Sequence, residues 1–284
     1  MTTAWEAFVA LDGQPGTDVT DLGFRQAVMA GVDLTVTPVE EIPRAVPPAG
    51  GEAITAVVLA GGEGQRLRPL TDKVPKPLLT VGRTTILERV LETLRSSGIS
   101  DVWMAVNYKA EMIDDRIGDG HAYGLKVQYL RERKPLHTAG PLSLIPERPT
   151  GPIVVTNADQ VTALNFARMV DWHRAEGAAI TVGSFEHRTQ VPYGVLDVDG
   201  SRFLGIAEKP ELRSRCNAGI YVLEPSVIDL VPPNTHFGMD RLLAAAVAAG
   251  LFVSVFPILE TWIDIGTQEE LEKALMWFAT GEEV

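Results

Sequence analysis

Three glycines, an arginine and a lysine follow an apolar run in the stretch AVVLAGGEGQRLRPLTDKVPKPLLTVG, residues 56–82. Arg66 stands just beyond the glycine-rich turn, and Lys76 stands between two prolines. Glycine adds no side-chain bulk, so a glycine-rich turn after a strand lets an anion approach the backbone amides. The stretch therefore predicts a phosphate site, and the alternative is a surface turn with two solvated cations.

Two common phosphate-binding motifs do not fit this loop. A Walker loop requires Gly-Lys-Ser/Thr after four spacer residues, and a dinucleotide fingerprint requires a third glycine where Leu67 stands. The type of phosphate must therefore be inferred from the rest of the chain.

Composition narrows the classes of partner. A net charge of −12 argues against a nucleic-acid partner. No apolar run is long enough for a membrane span, and the N-terminus lacks a signal-peptide pattern, so we expect a cytoplasmic protein with no membrane partner. The single cysteine, Cys216, excludes intrachain disulfides and a cysteine-based zinc site, and we interpret it as a packing residue.

The order of elements predicts an α/β layered fold around a mostly parallel sheet. Residues 1–52 are interpreted as an N-terminal extension ending in a Pro/Gly linker, and residues 53–284 as the main domain. A first helix is expected to begin at a capping box of Thr85 and Glu88 and to end at Gly98. Strand-like runs at 126–130, 152–156, 179–185, 194–198, 218–223 and 252–256 alternate with helix-like runs near 110–117, 162–176, 239–249 and 267–279. No internal repeat, and no hexapeptide β-helix tail, is found.

The glycine-rich loop resembles the signature of the sugar-1-phosphate nucleotidyltransferases, the nucleotide-sugar pyrophosphorylases. The resemblance continues over residues 53–280 through VNYKAEMI, YLRERKPLHTAGPLSLIP, VVTNADQVT, VPYGVLDVDG, IAEKP, NAGIYVL and TWIDIGT. Within that family the chain is most similar to guanylyltransferases that act on mannose-, heptose- or amino-sugar 1-phosphates. The resemblance implies a Rossmann-like fold of the nucleotide-diphospho-sugar transferase type.

The resemblance also implies a reaction and its residues. A sugar 1-phosphate would attack the α-phosphorus of a nucleoside triphosphate, with Arg66 on the leaving pyrophosphate and Lys76 near the α-phosphate. The other nucleotide-binding residues implied are Ala60, Gly61, Gly62, Gly64, Gln65, Asn107, Glu132, His137 and Thr138. The attacking phosphate is largely ionised near pH 7, so no general base is required.

A metal site and a sugar-phosphate site follow from the same resemblance. Asp159 and Asp264 are implied as ligands of Mg²⁺ or Mn²⁺, although each aspartate taken alone is more typical of a turn or a helix cap. The sugar-phosphate residues implied are Tyr193, Gly194, Glu208, Lys209, Asn217 and Gly219. A surface salt bridge is the alternative for Glu208 and Lys209. Tyr193 or Trp262 could form the floor of a sugar site, and buried packing is the alternative for both.

Base choice depends on Glu132, which the resemblance places at the edge of the base. A carboxylate only accepts hydrogen bonds, and guanine offers adjacent N1–H and N2–H₂ donors, so GTP is the expected nucleotide. The alternatives are an ion pair of Glu132 with Arg131, Arg133 or Lys134, and the use of ATP, UTP or dTTP. His137 replaces a glycine of the family's Leu-Gly-Thr-Ala-Gly, so its side chain must swing aside, stack on the nucleoside or obstruct the pocket.

Two further hypotheses concern the whole chain. The fold could serve as a non-catalytic nucleotide-sugar-binding regulatory subunit, but such a subunit would be expected to lose the lysines or the metal carboxylates, and this chain keeps them. Residues 1–50 could be an arm that docks onto a partner or onto a second copy in a homodimer.

Overall fold

The computed structural model describes residues 52–280. The extension and linker predicted for residues 1–52 therefore lie, apart from Glu52, outside the described residues. The described residues belong to two compact units. Residues 186–215 are in the smaller unit, and residues 52–185 and 216–280 are in the larger one.

A seven-stranded mixed sheet is the centre of the larger unit. In spatial order its strands are β12 (Val253–Pro257), β8 (Ile180–Gln190), β11 (Glu211–Leu223), β6 (Ile153–Asn157), β1 (Thr55–Leu59), β4 (Asp101–Val106) and β5 (Lys126–Arg131). The pairs β6–β1, β1–β4, β4–β5 and β12–β8 are parallel, and β11 runs antiparallel to β6. The predicted α/β fold with a mostly parallel sheet is confirmed.

Five helices are found among residues 52–280. They are α1 (Ile86–Ser96), α2 (Ala110–Ile117), α3 (Phe166–Glu176), α4 (Met239–Ala248) and α5 (Gln268–Thr280). Helix α1 begins at the predicted capping box, where the Glu88 amide donates to Thr85 Oγ1 (3.3 Å) and the Thr85 amide donates to Glu88 Oε2 (2.7 Å). Gly98, with φ of +81°, follows its last turn as predicted.

Side chains of β1 alternate between two apolar cores on opposite faces of the sheet, as the period of a strand requires. Ala56 and Val58 lie in a core with apolar residues of α1, α2 and α3. Val57 lies in the other core, with apolar residues of α4. All three side chains are fully buried, so β1 is fixed from both faces and its carboxyl end is a rigid support for the loop that follows.

Four very short strands were not predicted, because runs of two or three residues carry no readable periodicity. They are β2 (Thr80–Val81), β3 (Thr84–Thr85), β7 (Gln160–Thr162) and β13 (Trp262–Asp264). Strands β7 and β13 are antiparallel and pair Gln160 with Asp264. This pairing brings Asp264 to the segment that follows β6, about a hundred residues earlier in the chain.

The smaller unit contains an antiparallel hairpin of β9 (Gly194–Asp199) and β10 (Arg202–Glu208). Strand β9 was predicted and β10 was not. The register places Gly194 opposite Glu208.

Candidate active site

The candidate site lies at the carboxyl ends of four adjacent strands. Residues 60–66 follow β1, Asn107 follows β4, Glu132 follows β5 and Asp159 comes two residues after β6. Because these strands are parallel neighbours, the loops meet at one edge of the sheet, where α/β proteins usually bind ligands. The loops surround a cavity of about 540 Å³.

Most of the residues predicted for nucleotide and catalysis line this cavity. They are Ala60, Gly61, Gly62, Gly64, Gln65, Arg66, Lys76, Glu132, His137 and Thr138. Asp159, predicted as a metal ligand, lines the cavity as well. The cavity is also lined by residues not singled out in the sequence, namely Leu59, Pro77, Pro135, Asn157, Ala158 and Gly266.

Gly64 is required by both conformation and space. Its φ is +64°, and a Cβ there would lie 2.9 Å from Thr71 Cγ2 and 3.0 Å from Lys76 Cβ. The Thr71 hydroxyl donates to the Gly64 carbonyl (2.9 Å), so the turn is tied to the segment that leads to Lys76. At Gly62 a Cβ would meet nothing within 4 Å, so the absence of a side chain there leaves the backbone open to a ligand.

The amides of the loop are available to an anion. The Ala60 amide donates to the Ala105 carbonyl (2.8 Å), which continues the pairing of β1 with β4. Over the described residues, no backbone or side-chain acceptor of the protein takes the amides of Gly62, Glu63 and Gly64. Backbone donors left unpaired beside a cavity fit phosphate oxygens.

Tyr108 and Lys109 brace this loop from the neighbouring strand, a role that the sequence did not reveal. The Tyr108 hydroxyl donates to the Thr71 carbonyl (3.3 Å), and Lys109 Nζ donates to the Asp72 carbonyl (2.5 Å). Both carbonyls lie between Arg66 and Lys76 in the chain. The two cations therefore belong to a segment that is hydrogen-bonded to the residues just after β4, and not to a free loop.

Lys76 connects the loop to both predicted metal ligands. It begins a single 3-10 turn, Lys76–Leu78, and its side chain is only 9% exposed. Its Nζ lies 2.5 Å from Asp159 Oδ2 and 3.8 Å from Asp264 Oδ1. Residues from three separate sequence motifs thus meet at one point.

The two aspartates fit a divalent metal ion. Within the described residues, Oδ1 of Asp159 and Oδ1 of Asp264 are both buried without a hydrogen-bond partner. Burial, and then the neighbouring Asp159, raise the pKa of Asp264, while Lys76 opposes the shift. Mg²⁺ and Mn²⁺ take hard oxygen donors, and one or two carboxylates suffice when phosphates or water supply the rest. No cluster of three or more His, Cys, Asp or Glu is placed to hold a metal in residues 52–280.

Arg66 packs against Gly266, which follows β13. A Cβ on Gly266 would lie 2.7 Å from Arg66 Nη2 and 3.1 Å from Glu270 Oε2. The Gly266 amide donates to Glu270 Oε2 (2.9 Å), which fixes the residue at the start of α5. Gly266 thus makes room for the guanidinium of Arg66. Gly266 was not singled out in the sequence, although its position in the TWIDIGT motif could have identified it.

Glu132 is held in place by its own segment. Its Oε2 accepts from the Leu136 amide (2.7 Å), and its carbonyl accepts from Asn107 Nδ2 (2.8 Å). A Cβ on Gly61 would lie 2.8 Å from Glu132 Oε1, so the glycine makes room for the carboxylate. Burial raises the pKa of Glu132, and the Leu136 amide opposes the shift.

The alternative ion pairs of Glu132 are not formed. Arg131 pairs instead with Asp114, and within residues 52–280 no basic side chain lies within ion-pair distance of Glu132. Asn107, predicted to bind the nucleotide, uses its side-chain amide to brace the Glu132 backbone.

His137 stands on the cavity wall with a backbone φ of +68°. Its Nδ1 lies 3.1 Å from Thr138 Oγ1, and that oxygen accepts from the Met239 amide (2.8 Å). The side chain has therefore not swung away from the cavity, and the two remaining alternatives are that it stacks on the nucleoside or obstructs the pocket.

Asn217 and Gly219, predicted for the sugar phosphate, lie in the larger unit on β11. The Asn217 side chain is engaged by the protein, since Nδ2 donates to the Tyr221 hydroxyl (2.7 Å) and Oδ1 accepts from the Gly219 amide (2.9 Å). Gly219 has φ of +69°, and a Cβ there would lie 2.6 Å from Asn157 Nδ2. Trp262 stacks on Phe185, with ring centroids 4.3 Å apart.

The other four sugar-phosphate residues belong to the smaller unit. Tyr193 is 74% exposed, and its carbonyl accepts from the Lys209 amide (3.2 Å). A Cβ on Gly194 would lie 3.1 Å from Glu208 Oε2. Within this unit the four predicted residues therefore lie together at the open end of the hairpin.

Comparison with protein families matches residues 55–280 to the family described as Nucleotidyl transferase. A mannose-1-phosphate guanylyltransferase of Mycobacterium tuberculosis is 31% identical over 223 residues, which are 76% of this chain and 62% of that protein. A mannose-1-phosphate guanyltransferase of Candida albicans is 37% identical over 184 residues, or 62% of this chain and 51% of that protein. The chain thus spans only part of the length of these relatives.

Solved structures share the fold. One is a putative glucose-1-phosphate thymidylyltransferase from Bacillus anthracis in complex with a sucrose, at a TM-score of 0.64 and 22% identity, covering 79% of this chain and 94% of that one. Another is HddC from Yersinia pseudotuberculosis complexed with GMP-PN. Its TM-score is 0.61 and its sequence identity is 25%, and the match covers 79% of this chain and 99% of that one. No helix in residues 52–280 is both long enough and apolar enough to cross a membrane.

Proposed function

Because the chain belongs to the nucleotidyl transferase family, we propose that it joins a nucleoside triphosphate, GTP, to a sugar 1-phosphate and releases pyrophosphate. The observation that carries the proposal is the position of Lys76. A cation from the phosphate-binding segment lies within 4 Å of two carboxylates, and one oxygen of each carboxylate is buried without a hydrogen-bond partner among the described residues. That combination suits a reaction between two phosphates.

The proposed reaction requires that the two phosphate substrates are aligned and that the negative charge on the α-phosphate and the leaving pyrophosphate is neutralised. A phosphate oxygen of the sugar 1-phosphate forms a bond to the α-phosphorus, and the bond from the α-phosphorus to the oxygen that bridges the α- and β-phosphates breaks. That oxygen leaves with the pyrophosphate. The attacking oxygen is already ionised near pH 7, so no side chain has to remove a proton. Lys76 stabilises charge on the α-phosphate, while Arg66 and the amides of Gly62 and Gly64 bind the leaving pyrophosphate.

Asp159 and Asp264 would hold the metal ion, Mg²⁺ or Mn²⁺. When bound, such an ion supplies positive charge to the phosphate oxygens and lowers the barrier to displacement. Two carboxylates and a lysine leave the local charge near −1 before substrates arrive, so the metal also offsets repulsion between the aspartates and the incoming phosphates.

GTP is proposed as the nucleotide on the basis of Glu132. Its carboxylate lines the cavity, forms no ion pair there, and has lone pairs left after accepting the Leu136 amide. Guanine presents two adjacent donors to such an acceptor, whereas adenine presents an acceptor at N1. The names of the Mycobacterium tuberculosis and Candida albicans relatives agree with guanylyl transfer. ATP, UTP and dTTP are the alternatives.

The sugar phosphate is proposed to use Lys209 for its charge and Glu208 for ring hydroxyls. Gly194, opposite Glu208 in the hairpin, adds no bulk beside that carboxylate. These groups suit a polyhydroxylated ring with one phosphate, which covers hexose, heptose and cyclitol 1-phosphates. Mannose 1-phosphate is the first candidate, because the relatives named above are mannose-1-phosphate enzymes.

Pyrophosphate release tests the proposal. The full chain is incubated with Mg²⁺ and each of GTP, ATP, UTP, dTTP and CTP against a panel of sugar and cyclitol 1-phosphates. We expect release with GTP and at least one sugar phosphate, and formation of the matching GDP-sugar. Absence of release with every pair would support the alternative of a non-catalytic nucleotide-sugar-binding subunit.

A further inference from the structure

His137 is held in a backbone conformation that disfavours its side chain. Its φ of +68° lies in the left-handed region, which glycine adopts without steric cost and which is unfavourable for a residue with a β-carbon. Among residues 52–280 only three other non-glycine residues have positive φ, namely Lys109, Lys209 and Asn234. A bulky residue retained in such a position at a cavity wall points to a role for the side chain itself.

Hydrogen bonds on both sides of His137 fix this conformation. The Leu136 amide donates to Glu132 Oε2 (2.7 Å), and the Leu136 carbonyl accepts from the Phe237 amide (2.9 Å). The Phe237 carbonyl in turn accepts from the amides of Ala139 (3.0 Å) and Gly140 (2.9 Å). The segment is thus bound to the loop before α4, and the histidine cannot relax without breaking these bonds.

The imidazole is also held in a defined position. Its Nδ1 is bonded to Thr138 Oγ1 (3.1 Å), and its ring meets the His236 ring in a T-shaped contact with centroids 4.9 Å apart. A Cβ on Gly238 would clash with Asp240 Oδ1 and lie 3.1 Å from His137 Nδ1, so the glycine leaves room for both side chains. The side chain is nevertheless exposed, on the wall that Glu132 and Thr138 share.

We propose that the His137 imidazole is a stacking platform for the purine base of the nucleotide. The proposal rests on the proposed function only in assigning this cavity to a nucleotide. The imidazole is planar, lines the cavity and is positioned by Thr138 and His236, and bases stack on aromatic rings without further hydrogen bonds. A purine covers more of the ring than a pyrimidine. His137 would therefore favour purines, and Glu132 would then select guanine among them.

Equilibrium binding and thermal unfolding together test the proposal. His137→Gly removes the ring and relieves the left-handed strain, so we expect the Tm to rise by about 2–4 °C. The same variant should bind GTP and ATP roughly 5-fold or more weakly, since one stacked base is worth on the order of 5- to 150-fold in Kd. UTP should be affected much less, and His137→Phe should restore purine binding to within about 3-fold of wild type.

Asn234→Gly is the matched control. Asn234 has φ of +48° and does not line the cavity, so the change can relieve strain but should leave every Kd unchanged. Equal or tighter binding of all nucleotides by His137→Gly would show that the imidazole only obstructs the cavity, and would overturn the proposal. Equal weakening of GTP and UTP, or failure of His137→Phe to restore binding, would overturn it as well.

The binding assay separates this proposal from the proposed function. It uses nucleotide and Mg²⁺ without sugar phosphate, so it needs no turnover. If wild type releases no pyrophosphate with any substrate pair but binds purines in a His137-dependent way, the transferase proposal fails and the stacking proposal stands. If wild type binds no nucleotide, both fail.

Discussion

Lys76 Nζ lies 2.5 Å from Asp159 Oδ2, although the two residues are 83 positions apart in the chain. One belongs to the segment after β1 and the other to the segment after β6, the strand that pairs in parallel with β1. The contact joins a candidate phosphate-binding cation to a candidate metal ligand. It implies that the α-phosphate and the metal would bind next to each other, so that substitutions at Asp159 and at Lys76 should both affect the reaction.

Asp159→Asn should remove most of the activity and leave the fold intact. The amide keeps the shape of the side chain but loses the negative charge that is proposed to hold a hard cation, and this loss should lower kcat by roughly 100-fold or more. Pyrophosphate release at saturating Mg²⁺, together with circular dichroism of both proteins, measures the effect.

Asp115→Asn is the control for the aspartate, because Asp115 is exposed on α2 and lies outside the cavity. It should retain full activity. Undiminished turnover of Asp159→Asn, or of wild type in excess chelator, would contradict the metal assignment.

Lys76→Ala and Lys209→Ala should differ in kinetic signature. Lys76 is proposed to act at the α-phosphorus, where charge reorganises in the reaction, so its loss should chiefly depress kcat. Lys209 is proposed to bind the charge of the sugar phosphate in both the ground state and the transition state, so its loss should chiefly raise KM for that substrate. Steady-state kinetics with each substrate varied in turn separate the two effects.

Changes of equal size in kcat and KM for both lysine variants would show that the division of roles is wrong. Because Lys76 is buried against Asp159, its variant should also be checked for the fraction of folded protein before kcat is compared.

The sequence predicted the framework of the site because its signals are local. The capping box at Thr85 and Glu88 and the glycine-rich loop at Gly61–Gly64 are readable from neighbouring residues, and the structure confirms the helix and places the loop at the cavity. The α/β order of elements likewise depends on periodicity within each element.

Contacts between distant residues were not readable from the chain. The pairing of β7 with β13 involves three residues on each side, and the bracing of Thr71 by Tyr108 depends on how β4 lies against the loop. Such partners follow from tertiary packing, which no local pattern encodes.

His173 should make the stability of the protein depend on pH. Its ring is 1% exposed, with Nδ1 at 2.8 Å from Thr181 Oγ1 and Nε2 at 3.1 Å from Glu224 Oε1. Burial lowers the pKa of His173, and the contact with Glu224 opposes the shift. The unfolded chain therefore binds this proton at a higher pH than the folded chain does. The contribution of His173 to the free energy of unfolding should be fully present above about pH 6.5 and should decrease as the pH falls from there toward the lowered pKa.

Urea unfolding between pH 5 and pH 8 measures this dependence. One proton gives a slope of up to about 1.4 kcal/mol per pH unit, and His173→Gln should flatten the curve by that contribution. His121→Gln, at an exposed position, should leave the curve as in wild type. An unchanged pH dependence in His173→Gln would mean that this histidine is not the titrating group.

Glu132→Gln should destroy the preference for guanine. The glutamine oxygen can still accept from the Leu136 amide, as Oε2 does in wild type, which leaves the NH₂ group facing the base. A charge-assisted hydrogen bond to N1–H or N2–H₂ is then lost and a donor faces a donor. We expect kcat/KM for GTP to fall roughly 10- to 150-fold, whereas UTP and ATP, which lack the paired donors, should be affected much less.

The pH dependence of selectivity gives a second measure of the same residue. Since burial raises the pKa of Glu132, protonation should begin at a higher pH than for an ordinary glutamate, and the ratio of GTP to ATP turnover should decline as pH falls. The ratio cancels effects of phosphate ionisation that both nucleotides share. Glu132→Gln should show no such decline. If this variant instead lowers turnover by one factor with every nucleotide, or if wild type prefers UTP or dTTP from the start, Glu132 does not read the base.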